Sequence, residues 1–275
     1  MKIYKTKEIL EDLNNSIIEK KPFSLIRFGD GGIKYIHSVL YNDHDQLFTI
    51  LKKEGIPLNY VVEVLDLWGY YARRANYIDT PEVYFTHEFW PRLKGPEKPM
   101  NKKTRKKLSL WKELYYNAEM DNNNFCNPEI NFLSILNRRR YQTILDIIKD
   151  RKVCCITTFP EVKERLLEFG YNVDIIKIVG QYENHYKNSF EEVVNKIKET
   201  ANDYDLFLVA AGELGRIYSG IIKEEGGRAF DIGFAIEYWL TYDIPVRLKP
   251  FLQVCHLNPL LLELKRRALK YSSFL

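Results

Sequence analysis

Three short segments set glycine beside charged side chains at spacings that suit chemistry on a phosphate. The first is Arg27-Phe28-Gly29-Asp30-Gly31-Gly32. Its glycines let the backbone turn sharply and come close to a ligand. N–H groups entering a following helix suit an anion, and the Arg27 guanidinium can fork onto phosphate oxygens. A plain strand-to-helix turn with an Asp cap explains the same residues equally well. The second segment is Ala210-Ala211-Gly212-Glu213-Leu214-Gly215-Arg216. Gly212 and Gly215 permit close approach to a diphosphate. The segment is neither a GxGxxG fingerprint nor a P-loop, and Glu213 also suits a helix N-terminus for its dipole alone. The third runs from Gly226-Gly227 through Asp231, Gly233 and Glu237. Two carboxylates there are candidate oxygen ligands for a divalent cation. A helix cap at Asp231 and a surface ion pair at Glu237 are the plainer alternative.

Fewer signals attach to the remaining candidates. His185 lies in Gln181-Tyr182-Glu183-Asn184-His185-Tyr186, read as an edge loop. It is a candidate donor contact, or a surface histidine. Thr157 and Thr158 suit ligand bonding or helix capping, and Tyr218 suits base stacking or packing. Lys102 to Lys107 is the densest basic run. It suits an anionic acceptor or nucleic acid, or simply a solvated helix start.

The elements that must hold these residues follow from the apolar pattern. A helix is predicted over 6–19, with Ile9, Leu10, Leu13 and Ile17 at helical spacing, then a first strand over 23–28. Residues 33–147 read as mainly helical, with stripes at 61–68, 108–115 and 130–141. From 151 onward strand and helix alternate: strands at 153–157, 173–178, 205–211 and 228–232, helices at 160–169, 190–200, 214–225 and 235–240. Apolar strands separated by helices imply βαβ units and a parallel sheet covered on both faces. The predicted fold is therefore α/β, a Rossmann-like, largely parallel sheet with helices on both faces. It carries a helical insertion after the first strand, at about 40–147, within a single domain of 275 residues. A basic helical tail, at about 256–275, suits packing on the sheet, on a second subunit or on an anionic membrane. Ligands of such sheets bind beyond the carboxyl ends of the strands, where all three segments fall.

Composition bounds the rest. With 45% hydrophobic and 28% charged residues, the chain is neither disordered nor a disulfide-stapled miniprotein. Its net charge of +4 does not by itself argue for nucleic acid. The cysteines Cys126, Cys154, Cys155 and Cys255 show no CxxC spacing and read as buried reduced thiols. No secretory leader and no apolar run long enough to span a bilayer is visible, so a cytoplasmic setting is expected.

Taken together, SLIRFGDGG, AAGELGRIYSGIIKEEGGRAFDIG and the IEYW that follows resemble the GT-D glycosyltransferases, once catalogued as the domain of unknown function DUF1792. The likeness covers the first strand and most of residues 150–240. It implies a GT-D-like Rossmann fold and transfer of a sugar from a nucleotide sugar, typically a UDP-sugar, to a glycan or glycoconjugate acceptor with a divalent metal, Mn2+ or Mg2+. Arg27, Gly29, Asp30 and Gly31 match the RFGDG part of the family's first motif, and Asp231 and Gly233 match its DIG element. Glu237 matches the final acid of an Asp-x-Glu motif. Ala235 stands where that motif has its first acid, Gly32 where the family usually has Glu, and Phe234 where many members have His.

On this reading the donor side comprises Arg27, Gly29, Gly31, Gly212, Glu213, Gly215, Arg216 and His185. Arg216 and the helix start at Gly212 are expected to face the diphosphate. Asp30 and Glu237 are the candidate bases; Asp231 and Glu237 are the candidate metal ligands. A metal-independent enzyme, a catalytically silent binder of the same fold, and a nucleic-acid-binding protein using 102–107 are the alternatives. Self-association is a further expectation.

Overall fold

The computed structural model describes residues 3–27, 54–79, 124–126, 130, 143–180 and 183–241. Several sequence expectations lie outside them. These are the loop at 28–32 with Gly29, Asp30, Gly31 and Gly32, the basic run 102–107, the stripe at 108–115, nearly all of that at 130–141, and the tail.

The described strands are β1 (Ile3–Tyr4), β2 (Phe23–Ile26), β3 (Tyr77–Asp79), β4 (Asn124–Cys126), β5 (Val153–Thr157), β6 (Val173–Lys177), β7 (Leu206–Ala210) and β8 (Arg228–Asp231). They form one sheet in the order β1-β4-β3-β2-β8-β7-β5-β6. Every pairing is parallel. This is the α/β class predicted from the apolar alternation.

Strand side chains alternate between two separate cores. Cys154 and Ile156 of β5 join one, Val153 and Cys155 the other. All five residues of β5 are buried, as a strand covered on both faces requires. Burial pushes the Cys155 thiol well above its ordinary value and the Cys154 thiol up to about 12. With Cys126, both are buried and outside any disulfide.

The first core packs under α2 (Val61–Arg74), α5 (Glu191–Thr200) and α6 (Gly215–Glu224). The second packs under α1 (Thr6–Ile18), α3 (Ile144–Ile148), α4 (Val162–Leu167) and α7 (Ile236–Thr241). Helix α1 forms because Ile9, Leu10, Leu13 and Ile17 share one face and all are buried. The Glu8 carboxylate accepts from the Lys5 N–H at 2.7 Å and closes its start. Helix α2 buries Val64 and Trp68, and truncating a tryptophan as buried as Trp68 costs about 3–5 kcal/mol. Gly170, at φ +84, follows α4 in the left-handed conformation that ends helices.

Of the connections with described helices, those toward the β1 edge pass under α2, α5 or α6, and those toward the β6 edge pass under α1, α3 or α4. This is the arrangement a single crossover hand demands. The helix after β8, α7, lies on the second face. The described helices that follow its neighbours β2 and β7 lie on the first. The end of β8 is therefore a topological switch point, where open α/β sheets leave a crevice for ligands.

Two strands of this sheet, β3 and β4, come from within the span read as mainly helical, and β1 precedes the strand read as first. They hold only two or three residues each, too short to show a strand period. Their neighbours in the sheet, not their own pattern, define them.

Candidate functional site

Arg27, the start of α6 and Asp231 with Gly233, the described parts of the three segments, meet at the carboxyl end of the sheet. Parallel register places Ile26 beside Ile78 and Leu25 beside Phe230, and pairs Asp231 with Val209. The register thus sets Asp231 opposite Ile26, with Arg27 and Asp79 one step further along their strands. The Asp231 carboxylate accepts from the Arg27 N–H at 3.3 Å. The Arg27 Nε lies 3.7 Å from Asp79 Oδ2. Arg216, from the start of α6, donates from Nε to the Arg27 carbonyl at 2.7 Å. One residue, Arg27, is thus held by all the neighbouring strand ends.

Glycine makes this closeness feasible at two places. Gly233 has φ +52, and the Arg27 guanidinium occupies the space where a Cβ would stand. Gly215 allows α6 to sit on β7, since a Cβ there would lie 3.3 Å from Val209 Cγ1. That is helix-on-strand packing, rather than approach to a ligand. Gly212, at φ +57, opens the single turn Gly212–Leu214 that leads into α6.

Arg216 is buried. Its guanidinium pairs with the Glu213 carboxylate, donates to the Glu213 carbonyl at 3.2 Å, and lies 4.5 Å over the Trp68 ring. Glu213 is buried with it. The pair read as donor-facing therefore braces the site from within. Arg27 keeps 12% of its side chain exposed, whereas Asp79 keeps none. The buried Asp231 carboxyl is pushed up to about 6 by desolvation, against the opposing pull of the Arg27 and Arg216 guanidiniums; the Asp79 charge adds to the rise.

Asp79 belongs to none of the three glycine-bearing segments. Its signal was a β-rich pair closing on an acid, Tyr77-Ile78-Asp79, the same shape as Ala229-Phe230-Asp231. Beside it, at the end of β4, burial pushes the Cys126 thiol well above its ordinary value, and the Asp79 charge contributes.

His185 is not a surface histidine. It is buried, shares a hydrogen bond with the Tyr218 hydroxyl at 3.2 Å, and sets Nδ1 3.6 Å from Glu54 Oε2. Glu54 is itself fully buried. Tyr218 packs between His185 and Phe190, and burial with the Glu54 charge pushes its hydroxyl well above its ordinary value. This cluster pins the chain before α5 to α6.

Glu237 occupies the first turn of α7 and Ala235 is buried in the second core. Among the described residues, no group of three or more His, Cys, Asp or Glu side chains could hold a metal ion. The Asp231 charge is already answered by the Arg27 N–H and two guanidiniums. These strand-end carboxylates do not fit a divalent-cation cage. Asp30, the remaining acid of the expected set, lies outside the described residues. No helix among those residues is long and apolar enough to cross a membrane.

What the arrangement offers is one partly exposed guanidinium at a switch point, set between Asp79 and Gly233, with the start of α6 beside it. This suits a ligand with a diphosphate. No protein-family model and no curated protein matches the sequence. Solved structures do match. A selenomethionine-substituted structure of domain of unknown function 1792 is 16% identical, with 89% of this chain and 84% of that one covered at a TM-score of 0.56. A structure described as a new glycosyltransferase (DUF1792) from Streptococcus sanguinis is 16% identical, covering 84% of this chain and 83% of its own at 0.52. A third, described as having a distinct glycosyltransferase fold for the same domain, is 15% identical and covers 89% and 84% at 0.52. The chain has the fold of the DUF1792 domains.

Proposed function

We propose that the protein is a glycosyltransferase that moves a sugar from a nucleotide sugar, a UDP-sugar foremost, to a hydroxyl of a glycan or glycoconjugate. The observation that carries this reading is the joining of the RFGDG strand end to the other two segments through Arg27, on a fold shared with structures described as glycosyltransferases.

Transfer requires stabilising the departing diphosphate and taking a proton from the acceptor hydroxyl. Arg27 supplies fixed positive charge for the diphosphate, and the α6 N-terminus adds its dipole. Arg216 and Glu213 keep Arg27 in place. Asp30 and Glu237 are the groups proposed to take the proton. The Mn2+ or Mg2+ of the sequence expectation has no cage among the described residues, so no step is routed through it.

A thermal-shift panel of nucleotide sugars, with and without Mn2+ or Mg2+, tests the reading together with release of the nucleoside diphosphate. A bound donor at a hundred times its Kd raises stability by about 2.7 kcal/mol. Failure of every nucleotide sugar to bind or turn over overturns the reading. Tight binding without turnover marks a catalytically silent binder instead.

A further inference from the structure

We propose that Asp79 is a positioning residue of this site: from the end of β3 it holds the Arg27 guanidinium in the orientation that receives a diphosphate. Both backbone polar groups of Arg27 are engaged. Its N–H is taken by Asp231 and its carbonyl by Arg216. The side chain can still turn, and two features limit it. Gly233 leaves the floor on which the guanidinium rests. Asp79 faces Nε at 3.7 Å. An arginine carries five N–H donors in a rigid fork. Nε is buried without a hydrogen-bond partner, so the charge of Asp79 is what orients that edge of the fork and leaves the terminal nitrogens, the part able to meet an anion bidentately, to the ligand. Asp79 has no exposed side-chain surface, so it acts through Arg27 rather than on the ligand. Preorganisation of this kind depends on the supporting shell as much as on the contacting group.

The inference rests on the proposed donor site, and inorganic pyrophosphate separates the two. Charge alone predicts that deleting a carboxylate beside Arg27 tightens the binding of an anion. A positioning role predicts the opposite. Titration calorimetry of the full chain with pyrophosphate should show Asp79→Asn binding about tenfold or more weakly than wild type. Asp79→Glu, which restores the acid, should stay within about threefold. If Asp79→Asn does not fold, Asp79→Ser is judged by the same criterion. Equal or tighter binding in the Asn or Ser variant overturns the inference, as does absence of pyrophosphate binding by wild type. Asp79-dependent pyrophosphate binding in a chain that transfers no sugar upholds the inference and removes the enzymatic reading. Sugar transfer with Asp79-independent binding does the reverse.

Discussion

Arg216 on α6 grips the end of β2 by donating from Nε to the main-chain carbonyl of Arg27 at 2.7 Å. The same guanidinium neutralises the buried Glu213. A helix start is thereby bolted to a strand two places away in the sheet. Replacing Arg216 by Gln leaves Glu213 buried without its counter-ion, at a cost of about 3–5 kcal/mol. Urea denaturation measures it. A loss below about 1 kcal/mol, the size of an exposed pair, would show that the bolt is not holding the fold.

Gly233 combines a left-handed backbone, φ +52, with the Arg27 guanidinium lying where a Cβ would go. Gly233→Ala therefore carries a backbone cost of about 1–2 kcal/mol and also displaces Arg27. Nucleotide affinity should fall more than stability alone explains. Thermal unfolding and UDP titration on the same preparation separate the two. Unaltered UDP affinity would detach Gly233 from the site.

The parts of this molecule that could be read in advance are those whose own residues satisfy them. The run Leu206-Phe207-Leu208-Val209 has no polar face, so it must be a strand covered on both sides. Helix α1 announces itself through Ile9, Leu10, Leu13 and Ile17. Arg27 and Asp231 stand out because each is charged at the end of an apolar strand. Strands β1, β3 and β4 carry too few residues for any period to show, and Asp79 was hidden with β3. His185 was readable as a loop residue but not as a buried one. Its partners Glu54 and Tyr218 arrive from distant parts of the chain, and only the folded backbone brings them together.

Asp231 makes stability depend on pH in an unusual sense for a carboxylate. Its ordinary value is 3.8 and burial raises it to about 6. Between those values the folded chain holds a proton that the unfolded chain releases, so stability falls as pH rises through this window. The contribution is fully present below the lower value and lost above the higher. Asp231→Asn keeps an acceptor for the Arg27 N–H and removes the titration. Relative to wild type, the variant should gain on the order of 3 kcal/mol between about pH 4 and pH 7. Denaturant midpoints at both ends provide the measurement; a constant difference would mean that Asp231 is ionised throughout.

Tyr218 and His185 share a hydrogen bond where both are buried. Tyr218→Phe preserves the ring packing on Phe190 and leaves the His185 Nε2 without its partner. An orphaned buried polar atom costs about 1–3 kcal/mol. Chemical denaturation should show a loss in that range. A neutral substitution would mean that His185 finds another partner.

A variant of Glu237 tests chemistry apart from binding. It sits in the first turn of α7, beyond the end of β8, while Arg27 and the start of α6 provide the proposed diphosphate contacts. Gln at 237 keeps the shape and removes the ability to take a proton. If Glu237 is the base, kcat should fall by about a hundredfold or more while donor affinity holds within about threefold, because binding energy that is not specific to the transition state leaves kcat alone. Turnover and donor titration on the same variant give both numbers. A fall in affinity with kcat preserved would assign Glu237 to the donor instead. Unchanged kcat with unchanged affinity would remove it from the mechanism and leave Asp30 as the acid to replace next.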